Sequence, residues 1–326
     1  MWYIVSMSDV EVKAVSHSLI EPHNKAYNPV DKLFRMIMGP FASISNSWPG
    51  DYGEANKENV LVAQQKKYEA YFKYLGLKEN AGMKIYEIGP GWGPFSNYCL
   101  ERGVAVTSVC PAKTQYEYLK KSGHDVHRTI WQEFTPTNGP FDAIVVMGSP
   151  EHFVSPTDHL NGNQDKVYRQ FFGYCYDFLK PNGRIGGQFM TFNGREVDYS
   201  KFQVEKDGHD DESQMYYHLG LLTYRYPEAW LPRDFNHFFS CAREGDYEII
   251  KVVDGREHYV WTIFCWTNTF YKLFPLTKWF KVASLIITSF FDKDFGYWAQ
   301  AFWKQSNRLC FERGWMGHEF FFVEKK

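Results

Sequence analysis

One short segment, a strand followed by a turn with a glycine at every second position, constrains the fold more than any other. Residues 84–88 read KIYEI, and Gly89, Gly91 and Gly93 follow before the next helical pattern. Glycines allow backbone amides to approach a ligand where a Cβ would collide. The segment predicts a strand–turn–helix unit with a nucleotide-type ligand at its turn. The alternative is a turn whose glycines only let the helix pack closely on its strand.

Strands and helices alternate beyond this turn. The run Phe141–Met147, FDAIVVM, is nearly all apolar and has the length of a strand buried on both faces. Because parallel strands need crossovers that run back over the sheet, this pattern predicts an α/β fold with a doubly wound, Rossmann-like sheet. The other predicted strands are Lys84–Ile88, Val104–Val109, Asp125–Ile130, Arg184–Met190, Glu248–Val253 and His318–Val323. The predicted helices are Asn56–Leu75, Phe95–Arg102, Lys113–Ser122, Gln164–Leu179, Pro232–Glu244 and most of Tyr259–Arg313.

The pattern divides the chain into four parts. We expect an N-terminal helical cap over residues 1–75, a ligand-binding Rossmann-like core over 76–192, a substrate-binding lid region over 193–317 and a closing strand of the core over 318–326. Within the core, Pro181–Gly183 is predicted to be a turn that ends a helix. Within the lid region, the polar and acidic stretch Asn193–Tyr226 is predicted to be a long loop.

Composition narrows the classes of ligand. Of the 326 residues, 19% are aromatic and the formal net charge is -2, without a long basic run. A nucleic-acid binder needs a positive surface that displaces counterions, so nucleic acid is excluded as a partner. The many flat side chains suit a pocket for an apolar or cationic small molecule.

The cysteines and the N-terminus both indicate a cytoplasmic protein. The six cysteines are scattered without CxxC pairs, as free thiols of a reducing compartment would be. The apolar stretch at the N-terminus is too short for a signal peptide and has no basic segment before it.

No metal site is predicted. His124 and His127 stand three residues apart at the start of a predicted strand, where side chains at this spacing point to opposite faces. The run from His209 to Glu212 is typical of a solvated acidic loop, with gating of the substrate as the alternative.

The spacing of the glycines bears on the type of nucleotide. A dinucleotide would be indicated by G-x-G-x-x-G with an acid about twenty residues later. This turn is G-x-G-x-G and follows Glu87, a carboxylate that can face a cationic ligand but not a diphosphate.

Six segments, in order along the chain, resemble motifs of the cyclopropane-fatty-acid synthase and mycolic acid cyclopropane synthase-like family of S-adenosylmethionine-dependent methyltransferases. The resemblance extends from about Trp48 to the C-terminus. It implies a class I methyltransferase fold, mostly parallel with an antiparallel C-terminal strand, and S-adenosylmethionine as the cofactor. The segments are WPGDYGEANKENVLVAQQKK, EIGPGWGP, VTSVCPAKTQ, VVMGSPEHF, YPEAWLP and REHYVWTIFCW.

The resemblance also implies which residues contact the cofactor. In this family a glutamine, here Gln115, binds where other methyltransferases hold the ribose with an acid. The full predicted set, with Glu87 added from the charge argument above, is Trp48, Glu87, Gly89, Gly91, Gly93, Cys110, Pro111, Gln115, Trp131 and Gln132.

Two departures from the family bear on the reaction. Members that form cyclopropanes hold bicarbonate with a Cys, a Glu, a His and a Tyr, and here Gly50 and Gln188 stand at the Cys and His positions while Glu151 and Tyr259 remain. A site that has lost two polar groups and keeps a carboxylate is a poor site for an anion. We expect Gly50, Tyr52 and Gln188 to line the substrate pocket.

Three residues are predicted to be catalytic. Glu151 and His152 follow the fourth strand, and the matching pair in related N-methyltransferases orients an amine and takes its proton. Together with Tyr259, Glu151 could instead stabilise a carbocation left by methylation of an alkene. The alternatives are that Glu151 caps the next helix and that His152 is a satisfied, half-buried histidine.

The sequence therefore predicts a methyltransferase that acts on nitrogen or carbon of a small, partly apolar acceptor. Two alternatives stay open: cyclopropane synthase-type modification of a lipid acyl chain, and a non-catalytic protein that only binds the cofactor. Residues 274–291, FPLTKWFKVASLIITSFF, are expected to form a lid or interfacial helix that could touch a membrane peripherally, or else a buried core helix.

Overall fold

The computed structural model describes residues 45–272 and 293–326. Most of the predicted N-terminal cap and the whole of the apolar stretch 274–291 lie outside these residues. The division of the chain into four parts stays a prediction.

The described chain alternates strands and helices from residue 84 onward. Its strands are β1 (Lys84–Ile88), β2 (Ala105–Val109), β3 (Asp125–His127), β4 (Phe141–Met147), β5 (Leu179–Thr191), β6 (Tyr247–Asp254) and β7 (Gly317–Lys325). Its helices are α1 (Lys57–Tyr74), α2 (Pro94–Leu100), α3 (Lys113–Lys121), α4 (Pro156–Leu160), α5 (Gln164–Phe178), α6 (Asp211–Arg225), α7 (Phe235–Ser240), α8 (Arg256–Lys272), α9 (Lys293–Trp303) and α10 (Ser306–Glu312).

The seven strands form one sheet in the order β3-β2-β1-β4-β5-β7-β6. β1 pairs in parallel with β2 and β4, and β4 pairs in parallel with β5. β7 runs antiparallel to both of its neighbours, β5 and β6. The predicted doubly wound sheet with an antiparallel C-terminal strand is therefore confirmed. The strand order reverses between β1 and β4, which is where sheets of this kind bind ligands.

Both faces of the sheet are covered, as the apolar sequence of β4 predicts. Ile144 and Val146 belong to one apolar cluster, which includes Phe171 of α5. Ala143 and Val145 belong to a second cluster on the other face, which includes Tyr71 of α1. Because side chains alternate along a strand, this division buries β4 from both sides.

Two of the sequence predictions about connections are wrong. Residues 181–183 do not form a turn that ends the preceding helix, α5. They belong to β5, which begins at Leu179 and has a bulge where it pairs with Phe141–Ala143 of β4. The stretch Asn193–Tyr226 is not a loop throughout, because α6 forms within it. Asp210 caps α6 by accepting a hydrogen bond from Ser213 N, and Met215, Leu219 and Leu222 of α6 are buried. The acidic run thus begins a helix.

A buried polar cluster anchors residues 45–53, the segment before α1, to the rest of the fold. Lys67 of α1 is 1% exposed, and its Nζ donates to Ser45 Oγ at 2.7 Å and to Asn46 O at 2.9 Å. Asn46 Nδ2 in turn reaches Gly255 O at 3.0 Å and His318 Nδ1 at 2.9 Å. Burial lowers the pKa of Lys67 to about 7 and that of His318 to about 3. Neutral groups therefore hold this segment at neutral to alkaline pH.

We expect Lys67→Met to change how stability depends on pH. The folded protein releases the Lys67 proton near pH 7, whereas the unfolded chain keeps it to about pH 10.4. The unfolded state then binds more protons between these values, so the lysine contributes a rise in stability of up to about 1.4 kcal/mol per pH unit. Unfolding in urea at pH values from 6 to 10 measures this change in the free energy of unfolding. Parallel profiles for the wild type and the variant would contradict a buried neutral lysine.

Two glycines give opposite predictions for the same substitution. A Cβ on Gly187 of β5 would lie 2.3 Å from Phe321 Cε1 and 2.7 Å from Val146 Cγ2, so Gly187→Ala should destabilise the protein by about 1–3 kcal/mol. Gly173, inside α5, has no atom within 4 Å of such a Cβ. Gly173→Ala should therefore stabilise it by about 1 kcal/mol. Denaturant unfolding compares the pair, and equal effects would contradict the close packing at Gly187.

Candidate active site

A cavity of about 160 Å³ lies at the carboxyl edge of the sheet, beside the point where the strand order reverses. Its walls come from the turns after β1, β2 and β4 and from the 3₁₀ turn Trp131–Glu133. Apolar side chains form most of the wall, and the described residues that line it include neither lysine nor arginine. The lining residues are Ile88, Gly89, Gly91, Val109, Cys110, Pro111, Ala112, Gln115, Ile130, Trp131, Gln132, Met147, Gly148, Ser149, His152 and Phe153.

The glycine turn admits a ligand at Gly91 but serves packing at Gly93. Both residues have left-handed backbones, with φ of 57° and 76°. A Cβ on Gly91 would meet no atom within 4 Å, because this residue borders the cavity. A Cβ on Gly93 would lie 2.5 Å from Leu119 Cδ2. Close helix packing, the alternative considered above, therefore accounts for Gly93, and its contact with the cofactor stays a prediction.

Polar groups in the wall suit a ligand that offers hydrogen-bond acceptors and no diphosphate. The indole Nε1 of Trp131 is buried and has no hydrogen-bond partner, so an acceptor on a ligand can satisfy it. The Cys110 thiol donates to Gln115 Oε1 at 3.7 Å, which positions the Gln115 amide beside the cavity. The absence of lysine and arginine from the described lining fits the adenosine and sulfonium parts of S-adenosylmethionine better than two phosphates.

Two other predicted cofactor residues lie outside the described lining. Trp48 packs against Tyr74, Phe320 and Phe322, with ring centroids 5.2–6.2 Å apart. Glu87 is 2% exposed and accepts a hydrogen bond from Ser96 Oγ. Burial raises the pKa of Glu87 to about 7, partly offset by that hydrogen bond. Both roles in cofactor binding stay predictions.

Glu151 is held at the edge of the sheet by a hydrogen bond from a backbone N–H. It lies in the 3₁₀ turn Pro150–His152 after β4, and its Oε1 accepts a hydrogen bond from Met190 N at 2.8 Å. The next helix, α4, is capped by Ser155 and Asp158 instead, so the prediction that Glu151 could cap it is wrong. The second oxygen, Oε2, is buried without a partner. Burial raises the pKa of Glu151 to about 7, and two backbone hydrogen bonds oppose this rise.

A second, smaller cavity of about 50 Å³ begins at Glu151 and His152. His152 also lines the first cavity, so this residue stands between the two. We name the second space the acceptor cavity. Its remaining walls are mostly apolar: Met190, Phe192, Phe202, Leu219, Leu222, Thr223, Tyr226, Ala229, Trp230, Leu231 and Met316.

Tyr259, the third predicted catalytic residue, is buried on α8. Its ring packs against Phe311 at 4.7 Å and His318 at 5.0 Å between centroids. Burial raises the pKa of Tyr259 far above its usual value, and the charge of Glu151 adds to the rise. The phenol of Tyr259 is therefore uncharged at neutral pH, and it interacts electrostatically with the Glu151 carboxylate.

The predicted substrate-lining residues lie outside the lining of both described cavities. Gly50 N donates to His258 Nε2 at 3.2 Å, and a side chain at position 50 would meet the Tyr52 ring at 3.0 Å. A cysteine there would need Tyr52 to move. Gln188 is 1% exposed and its Oε1 is buried without a partner. The roles of all three stay predictions.

One wall of the acceptor cavity, formed by Leu219, Leu222 and Thr223, is missed by the sequence analysis because α6 is not predicted. Its signal is present: Met215, Leu219 and Leu222 recur at helical spacing directly after the capping residues Asp210 and Ser213. Within residues 45–272 and 293–326, no helix is long and apolar enough to cross a membrane. The same residues contain no group of three or more potential metal ligands.

Comparison with known proteins identifies relatives of the chain. Residues 16–311 match the family described as mycolic acid cyclopropane synthetase. Cyclopropane mycolic acid synthase 2 of Mycobacterium leprae is 24% identical over 261 residues, which are 76% of this chain and 78% of that protein. Cyclopropane-fatty-acyl-phospholipid synthase of Escherichia coli K12 is 30% identical over 159 residues, 48% of this chain and 37% of that protein.

Solved structures support the fold. Mycolic acid cyclopropane synthase CmaA1, complexed with SAH and CTAB, shares 19% sequence identity and superposes with a TM-score of 0.69. The match covers 94% of this chain and 98% of that one. The predicted Rossmann-like class I methyltransferase fold is confirmed.

Trp131 and Trp266 offer a matched test of the first cavity. The Nε1 of each is buried without a partner, but only Trp131 is among the residues that line the cavity. We expect Trp131→Phe to weaken binding of S-adenosylhomocysteine about 3- to 10-fold, the value of one neutral hydrogen bond. Trp266→Phe should leave it unchanged. Titration calorimetry measures both, and equal affinities for the two variants would remove the indole N–H from cofactor binding.

Proposed function

Since the chain belongs to the mycolic acid cyclopropane synthetase family, and is an S-adenosylmethionine-dependent enzyme, we propose that it transfers a one-carbon unit to a double bond in the acyl chain of a lipid-like acceptor. Membership of this family sets aside the non-catalytic alternative. The observation that carries the proposal is a buried carboxylate oxygen, Glu151 Oε2, at the start of an apolar cavity.

The first cavity is the proposed cofactor site. The glycine turn, Gln115 and Trp131 would hold the nucleoside there, with Gln132 beside them. When bound, S-adenosylmethionine supplies an electrophilic methyl group and leaves as S-adenosylhomocysteine. His152 lines both cavities, so a methyl group directed past it would face the acceptor cavity.

The acceptor cavity suits an uncharged, apolar chain. Phe192, Trp230 and Leu231 are among its walls, and the described lining residues include neither lysine nor arginine. An acyl chain loses little on entering such a site, because it has no polar groups to desolvate. Relatives named for mycolic acids and for fatty-acyl phospholipids act on such chains, which favours the lipid alternative over a small acceptor.

Glu151 is the proposed proton acceptor. Attack of the double bond on the methyl group leaves a positive charge on the acyl chain, and closure of a three-membered ring then releases one proton. The Met190 N–H fixes Glu151 Oε1, which leaves Oε2 available to take that proton. A pKa of about 7 makes the carboxylate a base suited to neutral pH. In its ionised form it also stabilises the cation that precedes ring closure.

One observation still supports the alternative reaction, simple methyl transfer to a small acceptor. Gly50 and Gln188 stand where bicarbonate ligands would be expected from the family resemblance, and Tyr52 occupies the space of a side chain at position 50. In our proposal the enzyme catalyses ring closure, with Glu151 as the base. Without closure, loss of a proton from a neighbouring carbon would give a methyl-branched alkene instead.

The nature of the product tests the proposal directly. The enzyme is incubated with S-adenosylmethionine labelled with ¹³C in its methyl group and with vesicles of dioleoylphosphatidylcholine. We expect the labelled carbon in a cyclopropane ring by NMR. A labelled methyl branch would support an acyl chain as the acceptor but would contradict ring closure. It would then agree with the argument from Gly50 and Gln188. Label on added amines alone, with none on the lipid, would overturn the lipid acceptor.

Glu151→Gln tests the base, and Glu319→Gln is its matched control. Burial raises the pKa of both carboxyls to about 7, and each accepts a backbone N–H, from Met190 and from Phe235. Only Glu151 borders a described cavity. We expect Glu151→Gln to lower kcat at least ~10²-fold while binding of S-adenosylhomocysteine is unchanged.

The pH profile gives a second readout. A base must be ionised, so wild-type turnover should rise with pH through about 7. Glu319→Gln should keep both this rise and the rate. A pH-dependent rate in Glu151→Gln equal to that of the wild type would remove Glu151 from the mechanism.

A further inference from the structure

Three buried oxygen atoms from different parts of the fold lack hydrogen-bond partners among the described residues. They are the hydroxyl oxygen of Tyr71 in α1, Oε1 of Gln188 in β5 and Oε2 of Glu151 in the turn after β4. The three residues are 0%, 1% and 2% exposed. Because a buried polar atom without a partner is costly, each of these atoms calls for a ligand.

The register of α1 on the sheet brings Tyr71 over Gln188. A Cβ on Gly186 would lie 2.7 Å from Leu75 Cδ2, so Leu75 covers Gly186. Four residues of a helix rise about 6 Å, nearly the length of two strand residues, about 6.6 Å. Tyr71, one turn before Leu75, thus covers the position two residues after Gly186. Its ring packs against Phe320 at 6.5 Å between centroids, and Phe320 pairs with Gln188.

Glu151 reaches the same place from the end of β4. Gly148 N donates to Gln188 O at 2.8 Å, and Met190 N donates to Glu151 Oε1 at 2.8 Å. The turn that carries Glu151 therefore lies beside β5, between Gln188 and Met190. Burial raises the pKa of Tyr71 well above its usual value, and the charge of Glu151 is among the further causes. The carboxylate is thus close enough to act on the Tyr71 hydroxyl.

The donors and acceptors of the three side chains select the chemistry of the ligand. Glu151 Oε2 and Gln188 Oε1 accept hydrogen bonds, whereas the Tyr71 hydroxyl donates one. An anion would meet two acceptors, and an ammonium ion would leave the Tyr71 proton without an acceptor. Water offers two donors together with an acceptor, so one molecule can satisfy all three atoms.

We propose that Tyr71 and Gln188 hold a water molecule against Glu151 Oε2, and that this water positions the carboxylate for proton transfer. The importance of this site for turnover rests on the proposed function, in which Glu151 is the base. A carboxylate oxygen accepts two hydrogen bonds, so Oε2 keeps one lone pair for the proton of the acyl chain. Since Tyr71 acts through the water, it is a positioning residue.

A crystal structure of the wild type tests the water without turnover. We expect one ordered water about 2.6–3.2 Å from all three oxygens. In the Tyr71→Phe variant, this water should be lost or should move away from Glu151 while the backbone stays in place. Direct hydrogen bonds among Tyr71, Gln188 and Glu151, or an ion at this place, would overturn the proposal.

Thermal unfolding separates a bound hydroxyl from one without a partner. Tyr168 of α5 is a matched control, because it is 0% exposed and its hydroxyl accepts a hydrogen bond from Gln164 Nε2 at 3.0 Å. We expect Tyr71→Phe to lower the melting temperature, as Tyr168→Phe should. An unchanged or higher melting temperature in Tyr71→Phe would contradict the water, because removal of an unsatisfied hydroxyl costs nothing.

The pH profile of turnover tests the effect on the base. A hydrogen bond to the ionised carboxylate lowers its pKa, so loss of the bridging water raises the pKa of Glu151. The rise of turnover with pH, expected near 7 in the wild type, should move up by about 0.5–1 pH unit in Tyr71→Phe. Binding of S-adenosylhomocysteine should not change. A midpoint equal to that of the wild type would remove Tyr71 from the positioning of Glu151.

The other titratable groups around Glu151 stay the same in this variant. Tyr168 of α5 and Tyr259 of α8 are uncharged at neutral pH because burial raises the pKa of each. His152 is the neighbour of Glu151 in its own turn. Burial also raises the pKa of Glu87 to about 7. The rise with pH must therefore be absent from Glu151→Gln for it to report Glu151 rather than Glu87.

Tyr168→Phe is the control for the pH profile as well. The charge of Glu151 contributes to the high pKa of Tyr168, after burial, but the hydroxyl of this tyrosine already has a partner. We expect the wild-type midpoint in this variant. Equal shifts in Tyr168→Phe and Tyr71→Phe would indicate a general effect of removing a buried hydroxyl and would overturn the proposal.

A double variant tests whether one water is shared. Gln188→Met removes the amide acceptor and should also move the midpoint to higher pH. Because both side chains act through the same molecule, Tyr71→Phe combined with Gln188→Met should shift the midpoint no further than the larger single shift. Shifts that add would contradict a shared water.

Two further outcomes separate the water from the proposed function. A wild type that holds the water but modifies no acyl chain would overturn the proposed function and leave the water site supported. Turnover that requires added bicarbonate in carbonate-free buffer would overturn the water instead, because the anion would then be the ligand that Glu151 Oε2 needs.

Discussion

The hydrogen bond from Met190 N to Glu151 Oε1 connects the sheet to the proposed base. β4 ends at Met147, which pairs with Gln188, while β5 continues to Thr191. The Met190 amide therefore extends beyond β4, and a buried amide without a partner would be costly. Glu151 satisfies that amide with one oxygen, and its other oxygen is buried without a partner. The difference in strand length thus fixes the position of the carboxylate.

Helix α6 gives the site its apolar side. Leu219 and Leu222 face the acceptor cavity, whereas Tyr217 and Leu221 pack towards α9. With both sides apolar, α6 can be stable only between two layers, the sheet end and α9. This arrangement places polar groups at one end of the acceptor cavity, at Glu151 and His152, and apolar groups around the rest. In our proposal, a site of this kind distinguishes an acceptor by its shape and its lack of charge.

The sequence allows the sheet to be predicted more completely than the site. β4 agrees with its prediction residue for residue, because a continuous apolar run reports burial on both faces. Gly91, Cys110, Gln115 and Trp131, which the resemblance assigns to the cofactor, all line the cavity, and their contact with the cofactor stays a prediction. Gly93 shows the limit of a local sequence pattern, because the positions of Leu119 and His124, which are distant in sequence, decide what this glycine faces. The lining from α6 depends on contacts distant in sequence, and helical spacing hidden in a polar stretch is a weak signal.

Burial alone does not identify the reactive carboxylate. Glu87 and Glu151 are both 2% exposed, and burial raises the pKa of each to about 7. Glu87 has its hydrogen bond from Ser96 and lies outside the described cavity linings. Glu151 has an oxygen without a partner and borders the acceptor cavity. A buried, unsatisfied acceptor is costly unless a ligand completes it, so our proposal of Glu151 as the base rests on the asymmetry between its two oxygens rather than on the shift in its pKa.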